Sequence, residues 1–252
     1  MEKKKTNKTM EKMMIVLAFA ILSMNIAFAA INPDGPDSIT SPVESSKSNI
    51  SNKTINTSGG TIATVNITGV IKNPRWKAFI GNVSGTYTLD DASGSTIYDW
   101  DIATVEGKVY ATKKTTNVNW GAIECASETR VNQENTNMDH TDPNDNISVT
   151  FGSSSHEEFY VGAVHFPTDN CSYTTNTYVN DNPSSDFKEI LLHDGTDDPT
   201  SVKTGMIYTT ILEQDAAGYN GETYDFQMLV PEIGTTGYTG STAYYLYVEL
   251  GN

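Results

Sequence analysis

Thr96-Ile97-Tyr98-Asp99-Trp100-Asp101-Ile102, followed after Glu106-Gly107 by Lys108-Val109-Tyr110-Ala111-Thr112, is the stretch on which the fold turns. Ile97, Asp99 and Asp101 alternate with Tyr98, Trp100 and Ile102. Successive side chains of a strand point to opposite faces, so this period of two predicts strands rather than helices. Ser93-Gly94 before the first run and Glu106-Gly107 before the second supply the turns. The residues are mostly aromatic or β-branched, as a half-buried pleated surface requires.

The same grammar extends in both directions. Upstream, Trp76–Ile80 and Val83–Leu89 read as strands, with Gly81-Asn82 as turn or bulge. Further back, Thr61-Ile62-Ala63-Thr64-Val65-Asn66-Ile67-Thr68-Gly69-Val70-Ile71 reads as a first strand. Downstream, strands are expected at Ile147–Phe151, Glu158–Val164, Phe187–His193, Lys203–Glu213, Thr223–Val230 and Ala243–Leu250. One short helix is expected within Ala126–Glu134, at the start of a polar excursion from about Ala126 to Asn146. Asn180–Ser185 and Asp194–Thr200 read as loops. Short strands separated by turns at intervals of roughly ten residues predict an all-β, antiparallel, sandwich-like domain, Ig-like or jelly-roll-like, over residues 60–252.

What precedes that domain has a different composition. Lys3, Lys4, Lys5, Lys8 and Lys12 form a basic leader, Met13–Phe28 is a mainly apolar run, and Ala27-Phe28-Ala29 carries small residues where a signal peptidase cuts. Residues 1–29 therefore read as a signal peptide, with an uncleaved anchor as the alternative. Residues 30–59 lack hydrophobic periodicity and are rich in Ser, Thr, Asn and Pro, which predicts a disordered linker. Outside the leader no run is apolar enough to cross a bilayer as a helix. Without residues 1–29 the chain has 11 basic and 29 acidic residues. A net charge near −18 argues against nucleic acid or an anionic membrane surface as partner. An extracellular or cell-surface location is expected.

Several side chains bear on function. Cys125 and Cys171 are the two cysteines, and in an oxidising compartment they predict one disulfide worth about 4 kcal/mol on chain-entropy grounds. Sequons for N-glycosylation stand at Asn49, Asn52, Asn56, Asn66, Asn82, Asn146 and Asn170. The acidic loop at Asp194, Asp197 and Asp198 is the best candidate for calcium, although it lacks the spacing of an EF-hand. His140, His156, His165 and His193 have no metalloprotease spacing, and Gly152-Ser153-Ser154-Ser155-His156 lacks the closing glycine of a nucleophile elbow. No catalytic constellation emerges. Trp76, Trp100 and Trp120 are expected in the core, whereas Tyr244 and Tyr245 lie on opposite faces of one strand, which should leave one exposed.

Gly81-Asn82-Val83-Ser84-Gly85-Thr86-Tyr87-Thr88-Leu89-Asp90-Asp91-Ala92, the Thr96–Trp100 strand, Val118-Asn119-Trp120 and Tyr224–Pro231 resemble stretches of uncharacterised exported all-β surface proteins of archaeal type. The resemblance implies a surface location and carries no activity. Two readings of function follow. A polar tether before one apolar strand suits strand exchange between copies, with Val65, Ile67 and Ile71 as the side chains that fix register. Alternatively, loops and exposed aromatics bind surface glycans.

Overall fold

The computed structural model describes residues 32–40, 42–114, 118–153, 155–196 and 205–251. The expected signal peptide at 1–29 and the residues Asp197 and Asp198 lie outside them. The strands in chain order are β1 (Trp76–Gly81), β2 (Thr86–Asp90), β3 (Thr96–Asp101), β4 (Gly107–Thr112), β5 (Glu124–Cys125), β6 (Phe159–Val161), β7 (Val164–Phe166), β8 (Thr174–Val179), β9 (Asn182–His193), β10 (Met206–Ile211), β11 (Ala216–Ala217), β12 (Thr223–Tyr224), β13 (Phe226–Pro231) and β14 (Tyr245–Leu250). Among the described residues they are interrupted by a 3-10 turn (Trp120–Ala122) and by two α-helical segments, α1 (Glu128–Asn137) and the single turn α2 (Ile147–Thr150). Every ladder between named strands is antiparallel, so the all-β reading holds.

A six-stranded sheet in the order β14-β4-β10-β9-β5, with β8 also paired to β9, forms the centre. All six residues of β4 are buried, as are all but the last of β10, because both faces of this sheet are covered. On one face Val109, Ala111, Leu191, Met206 and Tyr208 pack against Met228 and Val230 of the two-stranded β1–β13 sheet and against Val131 of α1. On the other, Tyr110, Ile190, Leu192 and Ile207 pack against Phe159, Val161 and Phe166 of the β6–β7 hairpin. Alternation along each strand divides its side chains between these two cores.

Local chemistry explains where the elements depart from expectation. Ile147–Phe151 is not a strand. Asn146 accepts the Val149 N–H at 2.8 Å and starts a helical turn, and the buried Phe151 follows it. The expected strand Glu158–Val164 is a hairpin, because Gly162 turns the chain at φ 54°. Asn180–Ser185 is not simply a loop. Asn180 and Asp181 take φ of 48° and 65°, the two-residue turn whose twist matches a hairpin, and β9 starts at once at Asn182. The expected helix is present but sits slightly later, from Glu128, with Ser127 Oγ accepting the Arg130 N–H.

Cys125 and Cys171 are bonded, which ties β5 to the loop entering β8. Beside the bridge His156 is 2 % exposed. Its Nε2 accepts the Cys171 N–H at 2.8 Å and its Nδ1 donates to the Glu157 carbonyl at 2.6 Å. That pattern assigns the proton of the neutral ring to Nδ1. Replacing both cysteines by serine is expected to cost about 2–5 kcal/mol, read as a lower urea midpoint under non-reducing conditions. An unchanged midpoint would mean that the 46-residue separation closes without the bond.

Candidate functional site

The apolar segment Gly60–Ile71 is the first surprise. It was expected to be a strand, but it has no strand partner among the described residues. Val65 is 50 % exposed, Ile67 87 % and Ile71 90 %, and Ile62 and Val70 are exposed as well. A strand satisfies its backbone only through a neighbour, so sequence pattern alone cannot pair it. The segment remains an unmade strand, with Val65, Ile67 and Ile71 on one side of its alternation and Ile62, Thr64, Asn66, Thr68 and Val70 on the other.

Nor does order begin near Gly59-Gly60 as the composition suggested. Pro33 is buried, and Asp34 adds to the sheet beside β14. The Asp34 N–H donates to the Val248 carbonyl at 3.1 Å, and the Val248 N–H donates back at 2.9 Å. From Gly35 to Asn73 no described residue belongs to a helix or strand. The outer edge of β14 thus receives one bridge, and among the described residues β1 is paired along β13 alone. Open edges of this kind are templates for a further strand.

The aromatic residues divide sharply. Trp76 sits in the first core and donates its indole N–H to the Asp145 carbonyl at 3.0 Å. Trp120 packs between Tyr110 and Tyr247, with centroids 5.1 and 5.2 Å away. Trp100 departs from expectation, being 49 % exposed on the β2–β3 hairpin. Tyr244 is turned inward and donates to the Pro231 carbonyl at 2.7 Å, while Tyr245 is 43 % exposed. The pair therefore alternates as expected. A two-tyrosine platform does not exist there.

The acidic loops are largely occupied by the protein's own donors. Asp194 is buried and forms an ion pair with Lys114, while Thr196 donates to its Oδ1 through both backbone and hydroxyl. Burial pushes its carboxyl up, but the bonds from Lys114 and Thr196 prevail and hold it below the ordinary carboxylate range. Asp142 and Asp145 both meet the Arg75 guanidinium, at 2.9 and 3.0 Å. Asp91 accepts the Ser93 and Ser95 N–H groups of its turn. No cluster of three or more metal-ligating side chains occurs among the described residues. The calcium candidate is left with Asp194 alone within them, and that side chain is neutralised by an ammonium. Of the histidines, His140 donates through Nε2 to the Glu232 carbonyl at 2.5 Å, and His165 lies 3.1 Å from Glu158 on the surface.

Two buried polar sites lie on the β1–β13 side of the central sheet. Lys113, 3 % exposed, pairs with the fully buried Glu134, which also accepts the Tyr208 hydroxyl at 3.1 Å. Burial lowers the Lys113 ammonium, with Glu134 opposing the shift. Glu189 is also fully buried. Its Oε2 accepts the Leu229 N–H at 2.8 Å, and its Oε1 has no hydrogen-bond partner among the described residues. Burial pushes its carboxyl well above the ordinary range, against the weaker pull of the Leu229 bond.

Asn49, Asn52, Asn56, Asn66, Asn82 and Asn170 are exposed, so an oligosaccharide on any of them meets solvent. Asn146 is half-buried and is committed to capping α2. Comparison with protein-family models, curated proteins and solved structures found no match.

Proposed function

We propose that this chain is a secreted or cell-surface structural glycoprotein that assembles with copies of itself, with Gly60–Ile71 as the exchanged strand. The observation that carries this reading is the exposure of Ile62, Val65, Ile67, Val70 and Ile71 in one unpaired segment. Exposed apolar side chains on an unpaired, strand-like segment of an acidic domain are what an interaction surface presents. The incompletely covered edges of β1 and β14 support it from the acceptor side. Main-chain bonds would supply affinity, and Val65, Ile67 and Ile71 would set register. Asn66 would then face away from the acceptor, leaving room for a glycan. Because donor and acceptor are different surfaces, the contact is heterologous and builds open filaments.

The experiment is negative-stain electron microscopy of the secreted chain with and without residues 60–71. Filaments or sheets are expected from the full chain, and soluble monomers with an unchanged urea midpoint from the deletion. Monomers from both would sink the assembly reading. Adhesive glycan binding without catalysis is the second reading, favoured by the exposed rings of Tyr245 and Trp100. It predicts glycan-array signals that Tyr245→Ala or Trp100→Ala abolishes.

A further inference from the structure

The β2–β3 hairpin is exposed at every residue of both strands. Tyr87 pairs with Trp100 and Leu89 with Tyr98. Paired residues share a face, so these four form one apolar surface, on which the Tyr98 and Trp100 rings lie 4.8 Å apart. The other face presents Thr86, Thr88, Asp99 and Asp101 with the exposed Ile97 beside them, and Asp90 and Asp91 lie towards the tip. Residues 82–105 contain no Lys, Arg or His. A two-stranded ribbon that covers neither face is marginal in water. An amphipathic, acidic ribbon of this kind calls for a partner.

A second feature matches it. A groove of about 1100 Å³ runs between β1 and β8. Phe79, Tyr178, Met228 and Leu229 supply its apolar lining. Lys47, Lys72 and Lys77 stand along it, and Glu44, paired with Lys77, is the single carboxylate of the lining. On a chain of formal charge −15 this is a locally basic site.

We propose that the β2–β3 hairpin of one copy docks in the β1–β8 groove of a second copy. The aromatic face meets Phe79, Tyr178 and Leu229, and the acidic face turns towards the lysines. The proposal rests on the self-assembly reading but uses a different contact from the exchanged strand. The hairpin leaves β1 after the four residues 82–85 and is rooted beside the end of β14, where an added Cβ at Gly85 would meet Leu250 and one at Gly251 would meet Tyr87. Tyr87, Leu89, Tyr98 and Trp100 are 39 to 60 % exposed, so this face still has apolar surface to bury on docking. Opposite charge favours this register over others and speeds encounter.

Self-association of the secreted chain, followed by sedimentation velocity, tests the proposal. Tyr98→Ser with Trp100→Ser is expected to weaken association tenfold or more, with an unchanged urea midpoint because both rings are exposed. Lys47→Glu with Lys72→Glu is expected to weaken it similarly, and mixing that chain with an Asp99→Lys, Asp101→Lys chain restores hetero-association. Hairpin and groove variants that associate like the parent overturn the proposal. If deletion of residues 60–71 then still abolishes association, strand exchange stands alone. A parent chain that stays monomeric overturns both.

Discussion

Glu134→Ala is expected to lower stability by about 3–5 kcal/mol, because it leaves the Lys113 ammonium buried without its carboxylate. The Tyr208 hydroxyl loses its acceptor in the same step. The loss should also depend on pH in a defined direction. Burial places Lys113 below its ordinary value in the folded state, and loss of Glu134 removes the opposing attraction. Between the folded pKa and the ordinary value of 10.5 the unfolded chain binds more protons, so stability of the variant rises with pH in that window. Urea unfolding at several pH values reads both effects. The paired replacement Lys113→Met with Glu134→Leu should recover most of the loss, since apolar residues of similar size replace a buried ion pair at little cost. A single Glu134→Ala variant as stable as the parent would mean that Lys113 finds water or another carboxylate.

Glu189→Gln should change the pH dependence of the whole domain. The parent carboxyl is fully buried and held protonated well above its ordinary value of 4.5. Above that ordinary value the unfolded chain releases a proton that the folded chain keeps. The contribution is therefore complete below 4.5 and is lost as pH rises through the folded value. The slope is about −1.4 kcal/mol per pH unit until the folded carboxyl itself ionises. Glutamine keeps an acceptor for the Leu229 N–H and removes the titration. Stability curves of parent and variant should converge or cross near pH 4 to 5 and separate steadily in the variant's favour towards alkaline pH. Parallel curves would show that Glu189 is ionised in the folded chain and that its Oε1 has found a donor.

Both side chains illustrate what a linear reading cannot see. Glu189 lies within a run expected to be a strand, and nothing in Phe187–His193 distinguishes it from a surface carboxylate. It is buried because β13 crosses above it and because the central sheet is covered on both faces. Glu134 was expected at the end of a short polar helix. Its burial follows from α1 packing on the same face as Lys113. The hairpin errs in the opposite sense. The alternation of Tyr98 and Trp100 with Asp99 is plain in the sequence, but an apolar stripe is normally core. Only the placement of β2 and β3 outside both cores leaves it facing solvent.

By itself the sequence determined the all-β class, most strand positions and the helix after Ala126. It also determined the single cysteine pair and the division of Tyr244 and Tyr245 between faces. These depend on period two, turn chemistry and residue count, which are local properties. The tertiary structure decided which strands found partners. Gly60–Ile71 has the composition of a strand and none of its pairing, whereas Asn32–Asp34, read as linker, reaches the sheet. Pairing depends on where a complementary edge lies in space, and edges are set by the packing of the whole chain. The groove and the hairpin are likewise surfaces made from segments far apart in sequence, so their complementarity became visible only once β1, β8 and β14 had their places.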